Sequence, residues 1–213
     1  MAMSPQVFQE LETVTCLLSG TSYLASRLGR VSLAALFFVR FGILAVGGRS
    51  IWMEEEKNFM CNSTQLLCTP SCFDEFSPIS SFNLFALQLV VLVTHALSVT
   101  CWNRSTSQAK ETRLQAHLSR RNVQITLHIL CLLSRILIEG VFVFTFYKVS
   151  GGFVHPAVTH CRSHLCERFV VCTDLNAFTK NVFSLGLCAA SVLSIIICCS
   201  ELIITSLPRQ RAK

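Results

Sequence analysis

The chain has 213 residues, of which 52% are hydrophobic and only 14% charged, and its net charge is +6. Water-soluble domains carry about 25% charged residues, so an ordinary soluble globule is excluded. No phosphate loop, Ser/His/Asp grouping or metal cluster is legible, and His155, His160 and His164 share a segment without matched carboxylates, so the chain does not read as an enzyme.

In chain order, residues 1–30 read as a cytosolic N-terminal helix. Val7, Leu11, Val14, Leu17 and Leu18 recur at helical spacing between Ser4 and Gly20, an apolar stripe suited either to packing against the first span or to lying on the membrane surface. Glu10 and Glu12 precede Arg27 and Arg30, the reverse of a secretory leader, so the segment is expected to be retained. Four apolar stretches follow, at residues 31–49, 82–102, 123–147 and 182–206. A helix needs about 20 such residues to cross a bilayer, so each is predicted to span. They leave loops at 50–81, 103–122 and 148–181 and a tail at 207–213.

Orientation follows from the basic residues. Arg104, Lys110, Arg113, Arg120 and Arg121 face only Glu111 in the middle loop, and Arg209, Arg211 and Lys213 face no acid in the tail. The positive-inside rule then places both termini and the middle loop in the cytosol, and 50–81 and 148–181 outside. The positive balance belongs to that bias and to contact with anionic lipid, not to nucleic acid.

Twelve cysteines divide by location. Cys61, Cys68 and Cys72 lie in the first outward loop and Cys161, Cys166 and Cys172 in the second, where an oxidising compartment preserves disulfides. An odd number in each loop forces at least one bridge between loops if all pair. The steps are seven then four residues in one triplet and five then six in the other. Antiparallel pairing mismatches each step by one residue and parallel pairing by two. Bridged Cα atoms must approach within about 7 Å, so spacing favours Cys61–Cys172, Cys68–Cys166 and Cys72–Cys161. A zinc site competes for such triplets, but zinc pairs usually stand closer together, and thiolates do not persist outside.

Arg40, Arg135, Glu139 and Glu201 fall within spans and sum to zero charge. A charge at the bilayer centre costs about 2.5–3.5 kcal/mol or more, so these four are expected to face the bundle interior as ion pairs locking the helices. Arg135 and Glu139, four residues apart, share a helix face.

The spacing C-x6-C-x3-C in one loop and C-x4-C-x5-C in the other resembles the connexin family, and neighbouring motifs agree. They are Trp52 to Glu55, Phe59, Cys61-Asn62, Phe73-Asp74, Ser77-Pro78-Ile79-Ser80, Ala86-Leu87-Gln88-Leu89, Phe37-Phe38-Val39-Arg40 and Ser134 to Glu139. The resemblance covers about residues 29–204. It implies an all-α membrane protein, a four-transmembrane-helix bundle with two disulfide-linked extracellular loops and an N-terminal pore helix. It further implies a connexon, a homo- or hetero-hexamer of connexin-like subunits, in the plasma membrane that passes ions and small metabolites. An apposed hexamer on a neighbouring cell completes a gap junction where docking is retained. No cofactor is implied beyond regulation by calcium, near Glu54 and Glu55. With Glu56 these would form a ring of carboxylates, hard oxygen ligands that suit calcium.

The outward loops depart most from the family. Gln65-Leu66-Leu67 stands where Gln-Pro-Gly is usual, Pro70 replaces an asparagine associated with docking, and Glu167-Arg168-Phe169-Val170-Val171 replaces Pro-Asn-x-Val-Asp. Asn62-Ser63-Thr64 is an N-glycosylation sequon in the first outward loop, and a glycan there would oppose apposition of two loops. These features support an undocked plasma-membrane hemichannel as the alternative. A claudin-like adhesion or barrier protein is the alternative of another class. Claudins pair two cysteines within the first loop, and the triplets here favour the connexin-like reading.

Overall fold

The computed structural model describes residues 14–22, 24–48, 51, 56–65, 67–77, 79–108, 117–162, 166 and 169–210, with the side chains of 56, 103–108, 117–122 and 208–210 outside that description. Four long helices dominate: α1 (Arg27–Gly47), α3 (Ser81–Gln108), α4 (His117–Val149) and α5 (Ala177–Gln210). Each carries a stretch long and apolar enough to cross a membrane. A short helix, α2 (Cys68–Phe76), and strands β1 (Phe59–Cys61), β2 (Val158–Cys161) and β3 (Val170–Asp174) lie between them.

The helices overrun the predicted spans, α1 at its start and α3, α4 and α5 at both ends. Hydropathy marks where apolar residues stop, whereas a helix propagates until a cap or a breaker ends it. The start of α1 at Arg27 rather than residue 31 has such a cause: the Ser26 hydroxyl accepts the Gly29 N–H at 3.0 Å, an N-cap bond. The end of α4 has another. Gly151 takes φ of 64°, and the Gly152 N–H donates to the Tyr147 carbonyl at 3.0 Å, closing the last turn.

The chain divides into two compact units. The first, here the helical unit, comprises Met1–Arg40, Gln88–Val141 and Ala190–Lys213. Its buried positions recur at helical spacing: Gln88, Leu92, Ala96 and Val99 on α3, His128, Leu132, Arg135 and Glu139 on α4, and Ser191, Ser194, Cys198 and Glu201 on α5. Leu33, Leu132 and Cys198 form a small apolar cluster, with Ile136, Ile197 and Leu202 against it. Most buried stripes are thus partly polar, while Phe38, Leu130, Leu137, Ile196 and Ile203 are exposed. That is the reverse of a water-soluble bundle and the pattern expected where the solvent is hydrocarbon.

The second unit, the loop-bearing unit, comprises Phe41–Leu87 and Phe142–Ala189. Its three strands form one antiparallel sheet in the order β1-β3-β2. Phe59 pairs with Asp174, Cys61 with Cys172, and Thr159 with Cys172 from the other side. Alternation turns Phe59, Val170, Cys172 and Cys161 inward with Cys68, Cys72 and Cys166. Phe73 and Phe76 of α2 stack on Phe59 at 5.5 and 5.8 Å between centroids.

Candidate functional site

The helical unit holds the expected intramembrane charges, and all four are at most 4% exposed. Arg40 of α1 reaches Glu139 of α4, Nη1 to Oε1, at 2.9 Å. The other Glu139 oxygen accepts from Gln88 Nε2 of α3 at 2.7 Å. Gln88 Nε2 also donates to Ser191 Oγ of α5 at 3.1 Å, and Arg40 Nη2 donates to the same hydroxyl at 3.3 Å. One polar junction therefore collects a side chain from each long helix. A buried charge pair is favourable only when further hydrogen bonds satisfy it, and Gln88 and Ser191 supply them.

Arg135 and Glu201 are buried in the same unit but depart from the ion-pair expectation, since among the described residues neither makes a direct ion-pair contact. Arg135 Nη1 donates to the Ser19 carbonyl and Nε to Ser194 Oγ at 3.4 Å. Residues 14–19 are helical and Ser19 ends that turn, so its carbonyl has no partner within the helix. Glu201 sits at the opposite kind of terminus, accepting from the Ser26 hydroxyl and from the Ser26 N–H at 3.0 Å. A cation at a helix C-terminus and an anion at an N-terminus are each where the backbone dipole favours them. Helix ends compete with ion pairing for these charges, and here the ends prevail.

The same contacts revise the expected N-terminal packing. Val7 and Leu11 lie outside the described residues; of the rest of the apolar stripe, Val14 is exposed and Leu17 and Leu18 are half-buried. Cys16, Ser19 and Thr21 are buried instead. Cys16 Sγ donates to the Thr21 carbonyl at 3.1 Å, Ser19 and Thr21 hydroxyls meet at 2.9 Å, and Ser22 Oγ bonds His128 Nδ1 at 2.7 Å. A Cβ on Gly20, whose φ is 60°, would stand 3.1 Å from both Ala96 Cβ and Arg135 Nη1. Small residues at Ser19 and Gly20 let this segment approach α3 and α4.

In the loop-bearing unit, disulfides join Cys61 to Cys172, Cys68 to Cys166 and Cys72 to Cys161. Sulfur atoms of these bridges cluster within 4.8 Å as two overlapping triplets, a spacing that a metal could use. Sulfurs bonded to each other are not thiolates, so the zinc reading has no ligands here. At the base of α5, Asp174 accepts from Lys180 Nζ at 2.6 Å and from the Asn176 N–H at 2.9 Å, a buried pair that fixes the helix start. His155 exchanges two hydrogen bonds with Asn181, at 2.7 and 2.9 Å, and its ring packs on Phe76 and Phe146. That makes His155 a structural peg.

Glu54 and Glu55 lie outside the described residues, and Glu56 opens a single turn, Glu56–Asn58, whose first side chain is also outside them. Asn62 is exposed at the end of β1. Gln88, Ser191, Ser194, Ser19, Ser26 and His128 carry much of this geometry without having been singled out as site residues. Ser184, Ser191, Ser194 and Glu201, at steps of seven, three and seven, were the legible signal, since those steps keep one helix face.

A connexin family model matches residues 10–124 and 100–207, nearly the whole chain. The chain belongs to the connexin family. Connexins are channel subunits rather than enzymes, and this connexin is a multi-pass membrane protein with four candidate spans and three disulfides.

Proposed function

We propose that six copies of this connexin surround an aqueous path across the plasma membrane, passing ions and small metabolites by diffusion with no chemical step. The observation that carries this is the inward burial of Arg40, Arg135, Glu139 and Glu201. One subunit spends its intramembrane charges on its own interior, so a hydrophilic path has to be assembled between subunits. Both termini are cytosolic on the distribution of Lys and Arg, and the basic middle loop and tail meet anionic lipid there. The outward segment Glu54–Glu56, repeated around the ring, supplies carboxylates for calcium, which would hold the channel closed at ordinary extracellular concentrations.

Two ring states are open to such a subunit: end-to-end pairs between cells, or single hemichannels. The second is favoured by exposed Val171, which stands where the family resemblance implies an aspartate. Expression in paired cells tests both. Dye taken up from low-calcium medium without passage between cells fits the hemichannel. Passage between cells fits docking. Neither, together with particles that lack sixfold symmetry, sinks the channel reading.

A further inference from the structure

The sheet of the loop-bearing unit has one face on the disulfide core and one face open. Met60 is 59% exposed, Val158 52% and Val171 44%, and Phe169, leading into β3, is 70% exposed with Arg162 stacked 5.0 Å from its ring centroid. His160 is exposed on the same face. These residues form an apolar patch that nothing in the described chain covers, and such patches on outward loops mark an interaction.

Asn62 stands at the margin of that face, just past the end of the edge strand β1. Its N–H donates to the Val171 carbonyl at 3.0 Å, extending the β1 ladder one residue beyond the Cys61–Cys172 pair. Because side chains alternate along a strand, Asn62 points with Met60 and lies directly across from Val171. The burial agrees: Cys61 is half-buried, while Met60 and Asn62 are exposed. Beyond it, Ser63 N–H bonds the Cys61 carbonyl at 2.9 Å and Gln65 N–H bonds Ser63 Oγ at 3.2 Å, a tight turn that leaves Thr64 exposed. The acceptor amide and the threonine of the sequon are thus both accessible.

We propose that Asn62 carries an N-linked oligosaccharide that covers the open face of the sheet and keeps it from a second copy of this chain. This rests on the hemichannel reading above. Attachment needs a lipid-pyrophosphate-linked oligosaccharide as donor. The Asn62 amide nitrogen bonds the anomeric carbon of the first sugar and gives up one proton. That carbon's bond to the pyrophosphate breaks, and the lipid pyrophosphate leaves with the electron pair. The adjacent disulfide does not forestall the reaction. Cys61 waits for Cys172, which lies 111 residues later in the chain, and the other two first-loop cysteines wait for partners 98 and 89 residues on. At about 5–20 residues per second of synthesis, the first loop stays unpaired for on the order of ten seconds.

The test uses the full chain purified from the cell surface, as wild type, Thr64→Ala and Thr64→Ser. Peptide N-glycosidase should increase the gel mobility of wild type and Thr64→Ser, and leave Thr64→Ala unchanged. A wild-type protein that does not shift overturns the site. Electron micrographs should show single rings for wild type and face-to-face pairs for Thr64→Ala and for the enzymatically stripped protein. Paired rings in untreated wild type, or none after stripping, overturn the covering role. The gel shift does not depend on a channel, so a chain that shifts yet forms no sixfold ring counts for the glycan and against the channel reading.

Discussion

In the helical unit guanidinium, carboxylate, amide and hydroxyl groups are withdrawn from the surface beside a small apolar cluster, whereas the core under the sheet of the loop-bearing unit is mostly sulfur and phenyl rings. The contrast follows from the solvent each meets. Apolar side chains gain nothing by leaving lipid for a protein interior, so helices in a membrane are selected for each other by packing and by polar bonds such as Arg40–Glu139 and Gln88–Ser191. In water the apolar interior does drive assembly, but the sheet and α2 offer only a handful of buried residues. Small folds of that kind depend on cross-links.

The comparison breaks most visibly at Glu139. Glu139→Leu should leave Arg40 buried without its counter-charge, at a cost of ~3–5 kcal/mol in thermal unfolding of the detergent-solubilised chain. The double variant Arg40→Met/Glu139→Leu should recover most of that loss, because two matched apolar groups need no partner. A single variant as stable as wild type would show that the junction does not hold the unit.

The loop-bearing unit should answer to sulfur instead. Removing one bridge as Cys72→Ser/Cys161→Ser should cost about 2–4 kcal/mol, read as a lower unfolding temperature with the other two bridges intact by mass. Cys68→Ser alone should leave Cys166 reactive to a membrane-impermeant maleimide on intact cells. Failure to label it argues against either the pairing or the outward placement.

The smallest effect sharpens the role given to Glu201. Ser26→Ala removes the cap of α1 and should cost about 1 kcal/mol. Asp is ordinarily as good a cap as Ser, yet Ser26→Asp should be worse than Ala here, since it sets a second carboxylate against Glu201. If Asp proves equal to Ser, Glu201 is not the anchor of that terminus.

Much of this was legible in the residues and some was not, for identifiable reasons. Cysteine spacing is a one-dimensional record of register, so an antiparallel order could be favoured from counting alone. The sheet beneath it could not, because strands of three to five residues carry too little periodicity to stand out in a loop. Arg135 and Glu139 advertise an ion pair by their spacing, but spacing is blind to the Ser19 carbonyl that takes Arg135. Gln88 likewise looks like one polar residue in an apolar run until α4 and α5 are placed beside it.

By itself, then, the sequence determined what is set by composition and covalent order: four stretches too apolar for water, six cysteines in two triplets between them, and charges that have to hide. Tertiary structure alone decided which partner each group takes. A buried charge is satisfied by whichever acceptor or donor lies nearest in space, and for Arg135 and Glu201 that proved to be the end of a helix. The same holds for Asn62, whose place opposite Val171 depends on a strand pairing between loops far apart in the chain.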